Sequence, residues 1–277
     1  MACKVELAVI FAVGMAIFNL SFCICRMFTR LLHHATRALP SQCCACRAWG
    51  ISRVCAACLG RFARGVPRCR TCALQLPSES LGDLTNSRLQ CGECVQHPGP
   101  LDACWAAVTY GYPWDALLGQ LKFQGASGQG ADPSVARTVG DVMRLQGTMT
   151  AAVQRASIVV PIPLSPQRLR LRGFNQALEI SKCLLDSRSA MAKLQPELLL
   201  RTRDTASQVG QKRAERLQNL RHAFAVEPTK AAQVQGAHVV LVDDVTTTTA
   251  TLCAAALALR TAGAAQVVGV VFARTPL

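Results

Sequence analysis

The sequence predicts an α/β fold, a parallel sheet flanked by helices, preceded by a small cysteine-rich segment. Residues 105–277 alternate short valine-rich runs with segments of helical periodicity, the pattern of strands buried on both faces. Residues 41–104 instead hold four C-x-x-C pairs among many Gly, Pro and Arg, with little periodicity. The chain has 277 residues, 51% of them hydrophobic, and a positive mean hydropathy. That is enough for a sizeable core and one or two domains, and it excludes bulk disorder.

In order along the chain, residues 1–40 are apolar and then basic. Leu7 to Cys25 carries no charge and is close to the ~20 residues of a membrane span. Arg26, Arg30 and Arg37 follow it, which would keep the rest of the chain cytoplasmic, anchored to the inner face of the membrane. A cleaved export signal fits less well, because no A-x-A site follows and export would oxidise the thiols. The competing reading is that translation starts at Met27 and the residues before it are a start-site artefact.

Beyond the cysteine region, Trp114 to Phe123 is expected as a helix with Leu117, Leu118 and Leu121 in one stripe. Gly125 to Gly130 reads as a loop, and a helix follows from Pro133 and Ser134 to about Leu145. Ser157 to Pro161 is a short buried strand, Phe174 to Leu185 a helix, and Glu197 to Thr202 a strand. Ala206 to Leu220 is polar, irregular or helical. Val239 to Val242 is a strong strand, Thr251 to Ala262 a helix ended by Gly263, and Val267 to Ala273 the next buried strand.

The formal charge of +14 points to an anionic partner: nucleic acid, phosphorylated small molecules or acidic lipid. The fifteen cysteines are mostly paired as Cys43/Cys46, Cys55/Cys58, Cys69/Cys72 and Cys91/Cys94. Two intervening residues let both thiolates of a pair reach one tetrahedral zinc, so four pairs make two structural Zn2+ sites. Sequential and crossed pairing are both compatible with the spacing. The segment is poor in large apolar residues, so metal is its natural stabiliser. Four redox C-x-x-C motifs without βαβ surroundings would be unusual. Cys44 is a spare neighbour or an exchange partner for Cys43, His97 a loop residue, and Cys104, Cys183 and Cys253 small buried groups.

The stretch VVLVDDVTTTTATL, from Val239 to Leu252, ends a buried strand on two carboxylates. In open α/β sheets ligands bind beyond the carboxyl ends of strands. Two charged neighbours such as Asp243 and Asp244 call for a cation, a pair of sugar hydroxyls or basic side chains. The amides and hydroxyls of Thr247 to Thr251 open the following helix and offer a phosphate cradle. A phosphorylated ribose needs both features. The plainer alternative is a strand end followed by a threonine-capped helix.

LVDDVTTTTATL resembles the phosphoribosyl pyrophosphate (PRPP) loop of type I phosphoribosyltransferases. The C-x-x-C segment, VPIPLSPQRLRLRGFNQALEIS at 160–181, and the run from Arg201 to Phe224 extend the resemblance to the ComF/GntX family, over about residues 41–277. The resemblance implies a double zinc ribbon over 41–104 and a type I phosphoribosyltransferase-like domain over 105–277. It also implies a link to competence, the handling of incoming single-stranded DNA. By position, Asp243 and Asp244 would face the ribose hydroxyls and Mg2+. Thr247, Thr248, Ala250 and Thr251 would hold the 5′-phosphate, with Thr249 standing where the family pattern has glycine. A β-branched residue resists positive φ, so the loop is expected to keep φ negative at Thr249.

Arg168, Arg170 and Arg172 follow the Ser157–Pro161 strand. Arginine suits pyrophosphate through bidentate bonds, Gly173 lets the backbone turn, and Asn175 and Gln176 offer amide hydrogen bonds. The family match favours Arg172, Gly173, Asn175 and Gln176 as ligand contacts over a solvated basic helix start. Lys122 with Phe123 resembles the family's Lys-Tyr/Phe step and supplies another cation for pyrophosphate. Arg201, Arg203, Thr205, Gln208, Arg213 and Asn219 form a second basic set, a hood over the site or a nucleic-acid contact. For each of these, a surface salt bridge is the plainer alternative.

Two functions follow. In one the protein binds PRPP with Mg2+, and, if an enzyme, is a glycosyltransferase moving the phosphoribosyl group to a nitrogen nucleophile. No base-recognition segment is evident, and Cys3 is not placed as an amidotransferase nucleophile. In the other it is a non-enzymatic single-stranded-DNA-binding factor for natural transformation with a vestigial phosphoribosyl pocket, working with competence machinery proteins.

Overall fold

Valine-rich runs near the C-terminus form the centre of the fold. The computed structural model of the chain describes residues 40–77, 89–122, 131–185, 187–202 and 223–276. The expectations for the apolar run 7–25, the loop 125–130 and the segment 206–220 lie outside these residues. So do those for Phe123, Arg203, Thr205, Gln208, Arg213 and Asn219. The described residues fall into two compact units, divided between Cys55 and Ala56.

In the first unit β1 (Ser41–Gln42) and β2 (Trp49–Gly50) form an antiparallel hairpin, with Ser41 opposite Gly50. The turn between them closes on hydrogen bonds from Cys43 N–H to the Ala48 carbonyl and from Arg47 N–H to the Cys43 carbonyl.

The second unit begins with α1 (Ala56–Phe62) and α2 (Gly92–Gln96). The α/β part follows as β3 (Ala103–Thr109), α3 (Trp114–Lys122), α4 (Val135–Arg144), α5 (Gly147–Arg155) and β4 (Ile158–Pro161). Next come α6 (Pro166–Arg172), α7 (Gln176–Leu184), α8 (Arg188–Met191), β5 (Leu199–Arg201) and β6 (Phe224–Val226). A 3-10 turn at Pro228–Gln233 leads to β7 (His238–Thr246), α9 (Ala250–Thr261) and β8 (Gln266–Arg274).

The main sheet has the order β3-β8-β7-β4 and is parallel throughout. Its two central strands are buried from Val239 to Val242 and from Val267 to Arg274, as the continuous apolar runs require. β5 and β6 form a separate antiparallel pair. Leu241, Leu252, Leu259 and Val271 are all completely buried and belong to one core between sheet and α9. Trp114 is also buried; its ring stands edge-on to Phe272 with centroids 5.5 Å apart, and its Nε1 donates to the Phe62 carbonyl.

Most expected elements are present, with boundaries shifted by a few residues. Several further elements have no counterpart in the sequence analysis, among them β3, α5 and α6. β3 is absent from the sequence reading because its alanines carry little strand preference, and it forms by pairing along β8. α6 covers the arginine segment, to which the sequence analysis assigns no element. Ser165 caps it by accepting from Arg168 N–H, Pro166 opens it, and Gly173 ends it at φ 79. α5, too, lacks the clear apolar stripe that marks a helix in sequence. Gly263 does end its helix as expected, at φ 95.

Candidate functional site

β7 is longer than its apolar run predicts. It continues through both aspartates to Thr246, because β8 still pairs with it: Asp243 lies opposite Val271, and Thr246 opposite Arg274. β4 stops earlier, with Pro161 opposite Val242. The acids therefore lie in register just past the carboxyl end of one neighbour while the other neighbour still holds their backbone. Successive side chains of a strand alternate between faces, so Asp243 and Asp244 point in different directions.

Asp244 is buried, and Lys122 Nζ approaches its Oδ2 to 2.9 Å. That oxygen has no hydrogen bond of good geometry among the described residues, so the contact is one of charge more than of direction. The other oxygen, Oδ1, accepts from the N–H of Val245 at 2.6 Å. Asp243 is half-buried and accepts from the N–H of Asp244 at 2.9 Å. Burial, then the neighbouring Asp244 charge, push the Asp243 carboxyl up to about 7, against the pull of the Asp244 N–H and of Lys122.

The segment after β4 supplies the next residues. Arg172 Nη1 donates to Gln176 Oε1 at 3.0 Å, and Gln176 Nε2 reaches back to the Leu121 carbonyl at 3.4 Å. Burial lowers the Arg172 pKa and Arg168 adds to the effect, while the charges of Asp244 and Asp243 oppose it. Asn175 caps α7: its Oδ1 accepts from the N–H groups of Ala177 and Leu178, and its Nδ2 donates to the Ile162 carbonyl. The fold thus gathers Lys122, Arg172, Gln176, Asp243 and Asp244 from three distant stretches of chain. Gly173 and Asn175 shape the turn that brings Arg172 and Gln176 there. Arg201 has Nη1 on the Pro163 carbonyl and its guanidinium 5.4 Å from the centroid of the Phe224 ring.

The threonine loop overturns one expectation. Thr249 adopts φ 57 and ψ 5, the left-handed region, where a negative φ was expected. The loop has to reverse between the end of β7 and the start of α9, and burial together with hydrogen bonds to Thr246 and Thr248 holds Thr249 in the conformation that glycine adopts at less cost. Its side chain is buried. Its Oγ1 donates to the Thr248 carbonyl at 2.6 Å, and its N–H donates to Thr246 Oγ1 at 3.1 Å. One amide expected for phosphate is therefore engaged within the loop. Thr247 is exposed, Thr248 and Thr251 half-buried, and Ala250 buried.

A cavity of about 310 Å³ lies at another place, among Arg144, Thr150, Gln154, Ser187 and Lys193, and shares no lining residue with this cluster.

The cysteines form two quartets. The sulfurs of Cys43, Cys46, Cys55 and Cys58 lie within 4.8 Å of one another, as do those of Cys69, Cys72, Cys91 and Cys94. Pairing is sequential. The Cys46–Cys55 and Cys72–Cys91 sulfur separations are 3.6 and 3.7 Å. A tetrahedral site with Zn–S of ~2.3 Å needs ~3.8 Å between sulfurs, so the donor sets fit zinc. At Cys43 burial opposes ionisation, but backbone N–H groups near Cys46, Cys55 and Ala45 outweigh it and hold the thiol at about 6. Cys104 is buried as expected, whereas Cys183 and Cys253 are half-buried. His97 ends α2 and lies 3.5 Å from Glu93 Oε1. Among the described residues no helix is long and apolar enough to cross a membrane.

Sequence reasoning missed Arg68 and Arg274. Arg274 is 4% exposed, and its Nε donates to the carbonyl of Cys72. Nothing in the local pattern marks Arg274 as a buried cation or Arg68 as a half-buried one.

No family model matches the chain. It is similar to DNA utilization protein YhgH of Escherichia coli (strain K12), with 32% identity over 238 residues, 83% of this chain and 95% of the relative. Competence protein F of Haemophilus influenzae is 29% identical over 204 residues, 72% of this chain and 86% of that protein. Competence protein ComFC of Bacillus subtilis is 36% identical over 109 residues, 39% of this chain and 40% of its own length. With this similarity along nearly the whole of YhgH, and with the two cysteine quartets ahead of a parallel α/β sheet, the chain belongs to the ComF/GntX family.

Proposed function

We propose that this protein binds PRPP or another phosphorylated ribose together with Mg2+, and that it serves DNA utilization or competence, as the names of its relatives state for them. The observation that carries this reading is the ion pair of Lys122 with Asp244, with Arg172 close enough to feel the charges of Asp244 and Asp243 and itself hydrogen-bonded to Gln176, beside the threonine loop. The acids would take the divalent ion and the ribose hydroxyls. Lys122 and Arg172 would meet the pyrophosphate, and Thr247, Thr248, Thr249, Ala250 and Thr251 the 5′-phosphate. Because Lys122 occupies Asp244, ligand binding must move this lysine from carboxylate to phosphate. A cation at Asp243 and Asp244 would replace the charge that Lys122 withdraws. The two quartets serve as structural zinc ribbons, and the free thiols fit a reducing compartment such as the cytoplasm.

Isothermal titration with PRPP and Mg2+ tests the reading. A saturable heat that is lost in Asp243→Asn and Asp244→Asn supports it. Folded protein that gives no heat with PRPP at millimolar concentration overturns it.

The net charge of +14 and the relatives' names favour a second reading, a single-stranded-DNA factor. Salt-sensitive binding to an oligonucleotide that survives both aspartate changes, without PRPP binding, would select it. PRPP turnover lost in the same variants would select a phosphoribosyltransferase.

A further inference from the structure

Two arginines converge on one turn of the second cysteine quartet. Arg274 closes β8, lies in register between Thr246 of β7 and Thr109 of β3, and is buried. Its Nε donates to the Cys72 carbonyl at 3.0 Å, and its Nη1 to the Thr275 carbonyl at 2.6 Å. Arg68 reaches the next carbonyl of the same turn: Nη1 donates to Ala73 at 3.1 Å, and Nη2 to the Thr109 hydroxyl at 2.9 Å. Among the described residues neither guanidinium has a carboxylate at ion-pair distance.

A buried cation without a counter-charge is costly. Four thiolates around a divalent ion carry excess negative charge, and both arginines are hydrogen-bonded to backbone carbonyls, of Cys72 and Ala73, in the turn that carries two members of the Cys69, Cys72, Cys91, Cys94 quartet. A metal-loaded quartet would supply the missing counter-charge.

The same strand end leads to the threonine loop. The N–H of Thr275 donates to the Thr246 carbonyl at 3.1 Å. The hydroxyl of Thr246 in turn accepts the N–H of Thr249, the residue in the left-handed conformation. Cys72, Arg274, Thr275, Thr246 and Thr249 thus form one continuous line of polar contacts from metal site to loop.

We infer that Arg274 is a positioning residue that couples zinc in the second quartet to the threonine loop. The tetrathiolate charge holds the guanidinium, and the guanidinium fixes the strand end from which Thr246 holds Thr249. That the loop serves a phosphate rests on the function proposed above; the coupling between metal and loop does not.

The test compares wild type, Arg274→Met and Arg274→Lys by zinc release to a chromogenic chelator and by amide hydrogen exchange over Thr247 to Leu252. Arg274→Met should release one of its zinc ions about tenfold or more faster than wild type, the usual scale for losing a group that supports metal ligands. Its loop amides should exchange faster. Arg274→Lys restores the charge and should recover slow release. Cys46→Ser, which removes a ligand of the first quartet, should leave loop exchange unchanged, whereas Cys91→Ser should raise it.

Zinc release and loop exchange both at wild-type levels in Arg274→Met overturn the coupling. Should Arg274→Met not fold, Cys91→Ser decides: unchanged loop exchange in that protein overturns the inference equally. A wild type that fails to bind PRPP removes the phosphate role and leaves both zinc and exchange measurements to test the coupling.

Discussion

The contact between Lys122 and Asp244 ties α3 to the end of β7, and its removal should be felt throughout the α/β part. The side chains are 19% and 10% exposed and 2.9 Å apart. At an effective dielectric of about 20 that separation corresponds to a gross attraction of roughly 6 kcal/mol. Desolvation of both charges cancels much of it, but taking away one partner leaves the other stranded, at a cost of about 3–5 kcal/mol for a fully buried pair. Lys122→Met keeps most of the apolar stem and leaves Asp244 beside Asp243 without its cation. Because the pair retains some solvent contact, the expected loss is about 3 kcal/mol at neutral pH. The assay is urea unfolding in zinc-replete buffer, with Asp244→Asn and the double variant completing a cycle. A coupling energy of about 2 kcal/mol is expected, since the second change relieves part of the penalty of the first. A loss below about 0.5 kcal/mol in Lys122→Met, or strict additivity in the cycle, would refute the argument.

The remaining predictions concern the acid pair, the loop and the metal. Asp243 is pushed from 3.8 to about 7 by burial and by Asp244, so the folded protein binds that proton more tightly than the unfolded chain. Its contribution therefore turns unfavourable as pH rises from about 4 through about 7, and Asp243→Asn should gain stability relative to wild type over that window. The ceiling for that rise is about 4 kcal/mol, and the half-buried setting reduces it to about 2 kcal/mol. Melting curves at about pH 5 and pH 8 check this, and a difference independent of pH contradicts it. By the same logic, Mg2+ should bind more tightly as pH rises through about 7.

Thr249→Gly relieves a left-handed β-branched residue, worth about 1–2 kcal/mol, but gives up a buried methyl group and adds freedom to the unfolded chain. The net change in stability should stay within about 1 kcal/mol, while the bared backbone admits phosphate more closely. PRPP titrations of this variant should show equal or tighter binding than wild type; weaker binding would mean that the threonine side chain contacts the ligand. Elemental analysis should find one zinc per quartet, and Cys72→Ser should lose one of them. Full occupancy in that variant would remove the quartet reading.

The cysteine spacing and the charged strand tip were legible locally because their chemistry depends on short-range order. Two thiolates separated by two residues can meet one ion whatever surrounds them, and the structure adds the sequential pairing that spacing left open. Lys122 and Arg172 were found by resemblance, and the fold then brought both towards the same acids. β3 was illegible because Ala103 to Thr109 owes its form to the partner strand β8. α6 was masked by the prolines before it, although Ser165, Pro166 and Gly173 are sound boundary signals.

By itself the sequence determined the class of the fold, the four cysteine pairs spaced for zinc and the stretch that ends a buried strand on acids, since periodicity and ligand spacing act over a few residues. Tertiary structure alone decided how far β7 extends, the left-handed turn at Thr249 and the burial of Arg274 against the Cys72 carbonyl. Two of the three depend on a partner distant in the chain: β8 for the strand and a cysteine turn for the arginine. The loop turn instead depends on how the packed strand and helix on either side of Thr249 are held, with Thr249 bonded to Thr246 and Thr248. Such pairings are settled by which buried polar groups can be satisfied together once the core has formed.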